Sequence, residues 1–193
     1  MITPGVVLRE ALGAHGGWAA DRPTGVLFVC LGNICRSPLA KALFDDRARA
    51  RGVHERFVVD SCGTGHWHVG RPADARSIAI SGQRGASLTV DSHRARQVDP
   101  GSDFARFHLV LAMDRSNAAN LRALGADARR VVPLRVFDPT LAGARAVLSP
   151  GFADDPTYEV PDPYHGGPEG FAEMHDMLLR ACDGLLDAFE DAW

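Results

Sequence analysis

The sequence predicts an α/β fold, a three-layer sandwich with a central, mainly four-stranded parallel sheet and helices on both faces. Three observations point there. Short, continuous apolar runs recur along the chain, as in strands buried on both faces. Segments with helical apolar spacing separate them, and this alternation is how parallel strands are joined. The length of 193 residues suits one domain, against a soft prior of about 150 residues per domain. A chain of that size buries roughly 70% of its unfolded surface and needs no disulfide or metal to fold.

Residues 1–24 hold several glycines and prolines and show no sustained periodicity beyond a helical turn at Val6–Leu12. They read as an N-terminal extension, with the folded unit expected over 25–193. Val26–Cys30 is the first buried strand. After a turn, Ser37-Pro38 sets a capping residue before a proline at the first helical position. Leu39, Leu43 and Phe44 continue at helical spacing, and Gly52 stops the helix. Phe57–Asp60 is the second strand, followed by a loop with Gly63, Gly65 and Gly70. Ala73–Ser81 reads as helical and His108–Met113 as the third strand. Asp114 can cap a helix that carries Leu121 and Leu124 and ends at Gly125. Arg130–Leu134 is the fourth strand. Residues 136–160 have few periodic positions and read as a long loop or insertion. From Pro168 onward, Phe171, Met174, Leu178, Cys182, Leu185 and Phe189 form the apolar stripe of a long helix.

Composition narrows the function. Hydrophobic residues make up 46% and charged residues 23%, an ordinary globular balance. The longest apolar run is six residues, Val26–Leu31, against about 20 for a membrane span, so no membrane insertion is expected. No basic start followed by an apolar stretch opens the chain, so a secretory signal is not expected and a cytoplasmic location is. The net charge of -3 with interspersed signs gives no electrostatic case for a nucleic-acid partner. The cysteines Cys30, Cys35, Cys62 and Cys182 contain no C-x-x-C pair and are expected to be reduced. Cys62, His66 and His68 lack a fourth ligand for zinc, and no metal or cofactor is expected.

The informative stretch leaves the first strand as Cys30-Leu31-Gly32-Asn33-Ile34-Cys35-Arg36-Ser37-Pro38. A thiol is followed by a tight loop, then an arginine delivered as a helix begins. The amides of such a loop converge on one point and bind an anion, helped by the helix N-terminus. The planar fork of Arg36 grips two oxygens of a tetrahedral oxyanion. Cys30 then lies beneath that anion, in a positive field that favours a nucleophilic thiolate. No G-x-x-x-x-G-K-[ST] loop exists in the chain, which sets nucleotide hydrolysis aside.

This segment resembles the signature of the low molecular weight protein tyrosine phosphatases. The resemblance continues in order through Asp60–Gly70, Ser92–Gln97, Ala112–Asn117 and Val160–Tyr164. It implies the family's three-layer fold and hydrolysis of phosphotyrosine in proteins through a phosphocysteine, without metal. In that scheme Cys30 is the nucleophile, Arg36 the oxyanion clamp and Asp162 the general acid and then base. Leu31, Gly32, Asn33, Ile34, Cys35 and Ser37 complete the phosphate-binding loop, with Ser37 hydrogen-bonded to the thiolate and Asn33, Ser61 and His93 bracing the loop. Trp67, Tyr164 and His165 wall the substrate pocket, with inorganic phosphate as product and inhibitor. The family often uses the second loop cysteine, here Cys35, to trap an oxidised nucleophile as a disulfide; a packing role is the other reading.

Three rivals share this loop. Some arsenate reductases have the same fold, but the thioredoxin-coupled kind needs two further cysteines and residues 63–181 contain none; a small-thiol-dependent kind is the alternative that stays open. Phosphoarginine-preferring relatives carry threonine where this chain has Ile34. A non-catalytic phosphate-binding module would be expected to lose Cys30, Arg36 or Asp162. Two departures from the family pattern stand out: His165 replaces a second aromatic after Tyr164, and Arg115 replaces a common acidic residue, leaving the rim more basic.

Overall fold

The computed structural model describes residues 3–16, 19, 21–141 and 154–192. Trp18, Trp193 and much of the 136–160 stretch lie outside these residues. Four strands, β1 (Thr24–Cys30), β2 (Phe57–Gly63), β3 (Leu109–Ala112) and β4 (Val131–Pro133), form one parallel sheet in the order β2-β1-β3-β4. The helices are α1 (Pro4–Ala14), α2 (Arg36–Ala50), α3 (Ala75–Gln83), α4 (Pro100–Arg106), α5 (Arg115–Ala123) and α6 (Pro168–Glu190).

The pleat of β1 sorts its side chains between two cores. Val26, Phe28 and Cys30 face the larger one, with residues of α1, α2 and α6. Leu27 and Val29 face the smaller one, where Phe107, Ala118 and Leu121 pack. Alternation at period two therefore makes the three layers, because successive side chains on a strand point to opposite faces. In the larger core Phe44 meets Phe57 edge-on at 4.9 Å and Phe57 meets Phe189 at 4.9 Å, linking α2, β2 and α6. The sheet continues to β2 on one side of β1 and to β3 on the other. The carboxyl end of β1 is thus a switch point, where sheets of this kind bind ligands.

Four elements differ from the sequence reading. The extension carries a three-turn helix, not a single turn: Thr3 caps α1, and Val7, Leu8, Ala11 and Leu12 are buried in the larger core. Tertiary burial stabilises this helix where periodicity alone was weak. Strand β2 runs on to Gly63 because Ser61, Cys62 and Gly63 pair with Phe28, Val29 and Cys30. Helix α4 was not anticipated, although Asp99 accepts a hydrogen bond from Gly101 N and Pro100 opens it. Finally, α2 begins at Arg36, one residue before Ser37, so Ser37 is not its cap and its hydroxyl is used elsewhere.

Candidate active site

The loop between β1 and α2 wraps around the sulfur of Cys30. The Asn33 amide donates to Cys30 Sγ at 3.2 Å, and the Ser37 hydroxyl lies 3.1 Å from the same sulfur. Asn33 sits at φ 55°, the one non-glycine residue with positive φ among the described residues. Asparagine tolerates that left-handed geometry better than most side chains. Its side-chain Nδ2 donates to Ser37 Oγ at 2.9 Å and to Ser61 Oγ at 3.0 Å, and its Oδ1 accepts from the Arg96 backbone amide at 2.9 Å. The Ser37 hydroxyl thus receives a hydrogen bond from Asn33 and keeps its own hydrogen for the Cys30 sulfur or the Cys62 carbonyl at 3.3 Å.

His93 Nε2 lies 2.8 Å from the Asn33 carbonyl. A carbonyl only accepts, so Nε2 carries the proton there. Burial lowers the pKa of this imidazole below its ordinary value, despite that hydrogen bond, which keeps the ring a neutral brace. Ser61 and His93 therefore stand against the loop. The close approach of β2 adds a third support. Thr64 N and Gly65 N donate to the Cys30 and Leu31 carbonyls at 3.0 and 2.8 Å. A side chain on Gly63 would bring a Cβ within 2.7 Å of the Leu31 carbonyl oxygen, so this crossing requires glycine.

Arg36 is 2% exposed and anchored at one end. Its Nη1 donates to Asp114 Oδ2 at 2.6 Å and to the Val160 carbonyl at 3.1 Å, and its Nη2 donates to Asp162 Oδ2 at 2.5 Å. Burial opposes the charge of this guanidinium, but Cys30, Asp162 and Asp114 outweigh it and hold its pKa above the ordinary arginine value. Its Nε is buried with no hydrogen-bond partner among the described residues. A guanidinium has five N–H donors. Three are engaged, and Nε with the second Nη2 hydrogen forms the pair that suits two oxygens of an oxyanion. Asp114 has two duties, since its other oxygen caps α5 by accepting from Asn117 N at 2.7 Å.

The pocket over this loop encloses about 270 Å³. Cys30, Arg36 and the loop residues Leu31, Gly32, Ile34 and Cys35 line its base. Trp67, His68, Tyr164 and His165 form the rim, and Asp162 closes one side. Trp67 is 65% exposed, and its indole lies across Gly65 so closely that a Cβ there would collide with the ring. The Asp162 loop reaches the site through Val160, whose amide donates to the Met113 carbonyl at 2.7 Å just past β3. Arg115, expected to leave the rim more basic, pairs through its Nε with Glu159 at 3.2 Å, which offsets part of its charge.

All four cysteines are free and buried. The Cys35 thiol is pushed up to about 12, first by burial and then by Asp74 and Cys30, so at neutral pH it is a protonated thiol. Burial likewise raises Cys62 and Cys182 above the ordinary thiol range, and Cys182 is a core residue of α6. Among the described residues, no group of three or more His, Cys, Asp or Glu side chains is placed to hold a metal ion. No described helix is long and apolar enough to cross a membrane. The sequence did not single out the Arg96 amide, the Val160 carbonyl or His68 as parts of the site. Backbone groups carry no sequence signal, and His68 was legible only as the neighbour of Trp67.

Comparison with known proteins agrees with this geometry. The profile of the low molecular weight phosphotyrosine protein phosphatase family matches residues 25–192. A low molecular weight protein-tyrosine-phosphatase of Streptomyces coelicolor is 41% identical over 169 residues, covering 86% of this chain and 93% of its own length. The low molecular weight protein-tyrosine phosphatase A of Mycobacterium tuberculosis is 40% identical over 165 residues, covering 86% and 91%. A crystal structure of a protein tyrosine phosphatase from Entamoeba histolytica superposes with a TM-score of 0.74 at 32% identity, covering 87% of this chain and 97% of that one.

Proposed function

Because this chain belongs to the low molecular weight phosphotyrosine protein phosphatase family, we propose that the enzyme hydrolyses phosphotyrosine in proteins by two phosphoryl transfers through a phosphocysteine at Cys30. The observation that carries this reading is the placement of Cys30 Sγ. It lies at the base of a pocket also lined by Arg36 and Asp162, within reach of the Asn33 amide and the Ser37 hydroxyl. These donors stabilise a sulfur anion, both before attack and when it leaves phosphorus.

In the first step the thiolate attacks phosphorus, and the bond from phosphorus to the phenolic oxygen breaks. Arg36 and the loop amides hold the remaining phosphoryl oxygens as charge redistributes. Asp162, protonated, gives its proton to the departing phenolate. In the second step its carboxylate takes a proton from water, whose oxygen attacks phosphorus. The sulfur–phosphorus bond breaks, and inorganic phosphate and the thiolate are left. The Arg36–Asp162 contact at 2.5 Å favours the carboxylate, so it has to loosen for Asp162 to carry the proton that it donates. No step calls for a metal ion.

Trp67, Tyr164 and His165 offer faces to a phenyl ring, which supports phosphotyrosine over aliphatic phosphates. Inorganic phosphate retains the charge and shape that the loop recognises and is expected to inhibit competitively. A nucleophile that must remain a thiolate suits the reducing cytoplasm. Catalysis is assigned to residues 25–193, with 1–24 as an extension whose helix α1 buttresses the larger core.

The test is a substrate panel with a chelator present. Phosphotyrosine peptides and p-nitrophenyl phosphate should be hydrolysed and phosphoserine peptides should not. Activity abolished by the chelator, or equal turnover of phosphoserine, would contradict the reading.

A further inference from the structure

We propose that Arg76 is a positioning residue for proton donation, tying the Asp162 loop to the phosphate loop. The inference rests on the reading of Asp162 as the general acid and concerns what aims it.

The connection can be followed bond by bond. Asp74 N donates to the Ile34 carbonyl at 2.8 Å, which attaches the start of α3 to the phosphate loop. The Asp74 carboxylate caps α3 by accepting from Arg76 N at 2.8 Å. It also receives both arms of the Arg76 fork, Nε at 3.0 Å and Nη2 at 2.9 Å. The remaining arm, Nη1, donates to the Tyr164 carbonyl at 3.1 Å. Tyr164 in turn donates its amide to Asp162 Oδ1 at 3.1 Å, and the other Asp162 oxygen meets Arg36. The circuit closes on the phosphate loop where it began.

Ring contacts fix the guanidinium in that position. Its carbon lies 4.5 Å from the centroid of the buried Phe171 ring on α6 and 5.5 Å from that of Tyr164. One residue thereby holds three parts together: the start of α3, the start of α6 and the segment carrying the acid. The Asp162 loop is otherwise tethered upstream, through Val160 and Glu159, whose carbonyl accepts from Arg135 at 2.8 Å. Downstream of Asp162, Arg76 supplies the side-chain tether. Arginine fits the role because its planar fork serves the carboxylate with two arms and still has one for the carbonyl. Lysine, a point charge with no fork, cannot reproduce that geometry.

The experiment compares p-nitrophenyl phosphate, whose leaving group departs without a proton, with phenyl phosphate, which needs one. Arg76→Ala, Arg76→Lys and Asp74→Asn are measured beside Asp162→Ala, with circular dichroism to confirm folding. Asp162→Ala should lose far more kcat/KM on phenyl phosphate than on p-nitrophenyl phosphate, because kcat/KM reads the step in which the phenolate leaves and not the hydrolysis common to both substrates. Arg76→Ala should show the same leaving-group bias at smaller size, about tenfold on phenyl phosphate, since misplacement by an ångström or less erodes catalysis on that scale. The inhibition constant for inorganic phosphate should hardly move. Arg76→Lys should recover only part of the loss, and Asp74→Asn should reproduce it in weaker form. Equal losses on both substrates, or none, in a folded Arg76→Ala protein would overturn the positioning role while leaving Asp162 as the acid. An Asp162→Ala variant without leaving-group bias would overturn the assignment of Asp162, and with it this inference.

Discussion

The two loops that face each other across the pocket are built in opposite ways. The anchoring residues of the phosphate loop are buried: Asn33 and Ser37 are 0% exposed, and Cys30 and Arg36 are 2%, with Leu31 alone open to solvent among its large apolar side chains. It is held by neutral hydrogen bonds, one given to Ser61 and others received from His93 and the Arg96 backbone, and by the crossing of β2 at Gly63. The acid loop is open: the Asp162 side chain is 41% exposed, and its holds are an ion pair, two backbone anchors and the Arg76 fork. Buried neutral networks are rigid because any missing partner leaves a costly unsatisfied group. Ion pairs near solvent exchange partners more cheaply. Cys30, the proposed nucleophile, is thus fixed in advance, while Asp162, the proposed proton donor, sits where its pair with Arg36 can open.

The largest expected effect breaks the fixed side. Cys30→Ser should reduce turnover by more than about 10⁴-fold while inorganic phosphate still binds, as read by calorimetry; retained turnover would remove Cys30 as the nucleophile. Next is the open side. Asp162→Ala should lower kcat by about 10²–10⁴-fold on a substrate with a poor leaving group, yet cost little thermal stability because its carboxyl is part exposed. A large drop in Tm would mean that the acid loop is as structural as the phosphate loop.

A third pair of variants separates backbone from network on the fixed side. Asn33→Ala should destabilise the fold by roughly 1–3 kcal/mol for the polar groups left unpaired, with a further ~1–2 kcal/mol for the left-handed φ. Asn33→Gly keeps the first loss and relieves the second. Equal unfolding free energies for the two would show that the φ of 55° is not a strain that asparagine relieves.

The smallest effect sharpens the comparison from outside both loops. At the far end of β1, His108 Nδ1 accepts from Gly25 N at 2.8 Å and its ring packs on His15 of the extension. Burial, then His15 and Arg130, lowers its pKa to about 4. Between about pH 6.5 and pH 4 the unfolded chain therefore binds a proton that the folded chain does not. The stabilisation is fully present above the upper limit and is lost as pH falls through this window. In His108→Asn, which keeps an acceptor for Gly25, Tm should fall less steeply over that range. An unchanged slope would assign the acid sensitivity of the fold to other groups.

Much of the fixed side was legible in the sequence because Cys30 to Ser37 is contiguous and begins where an apolar strand ends. Asp162 was legible as an aspartate between two prolines once the family resemblance supplied its role. What was hidden depends on contacts across the chain. Ser37 reads locally as a helix cap, and only the family resemblance pointed to its contact with Cys30; in the fold its hydroxyl is drawn to Cys30 and Asn33, and α2 starts without it. Asp114 reads as a cap and is one, yet its second oxygen anchors Arg36 from 78 residues away. Helix α1 was missed because its stability comes from packing Leu8 and Leu12 into a core that local periodicity does not reveal. Arg76 was not singled out because Asp74 beside it reads as an ordinary surface pair, and the partner that gives it a place in the site, the Tyr164 carbonyl, is 88 residues on.

The most direct measurement maps the phosphoryl group itself. On the proposed mechanism, Asp162→Ala should still be phosphorylated by p-nitrophenyl phosphate, whose leaving group needs no proton, and should lack the base for hydrolysis, so the intermediate should accumulate. Rapid quenching in denaturant followed by mass spectrometry of the peptides should find one phosphoryl group, on Cys30. Release of p-nitrophenolate with the phosphoryl group on another residue, or on none, would contradict a mechanism carried by that sulfur.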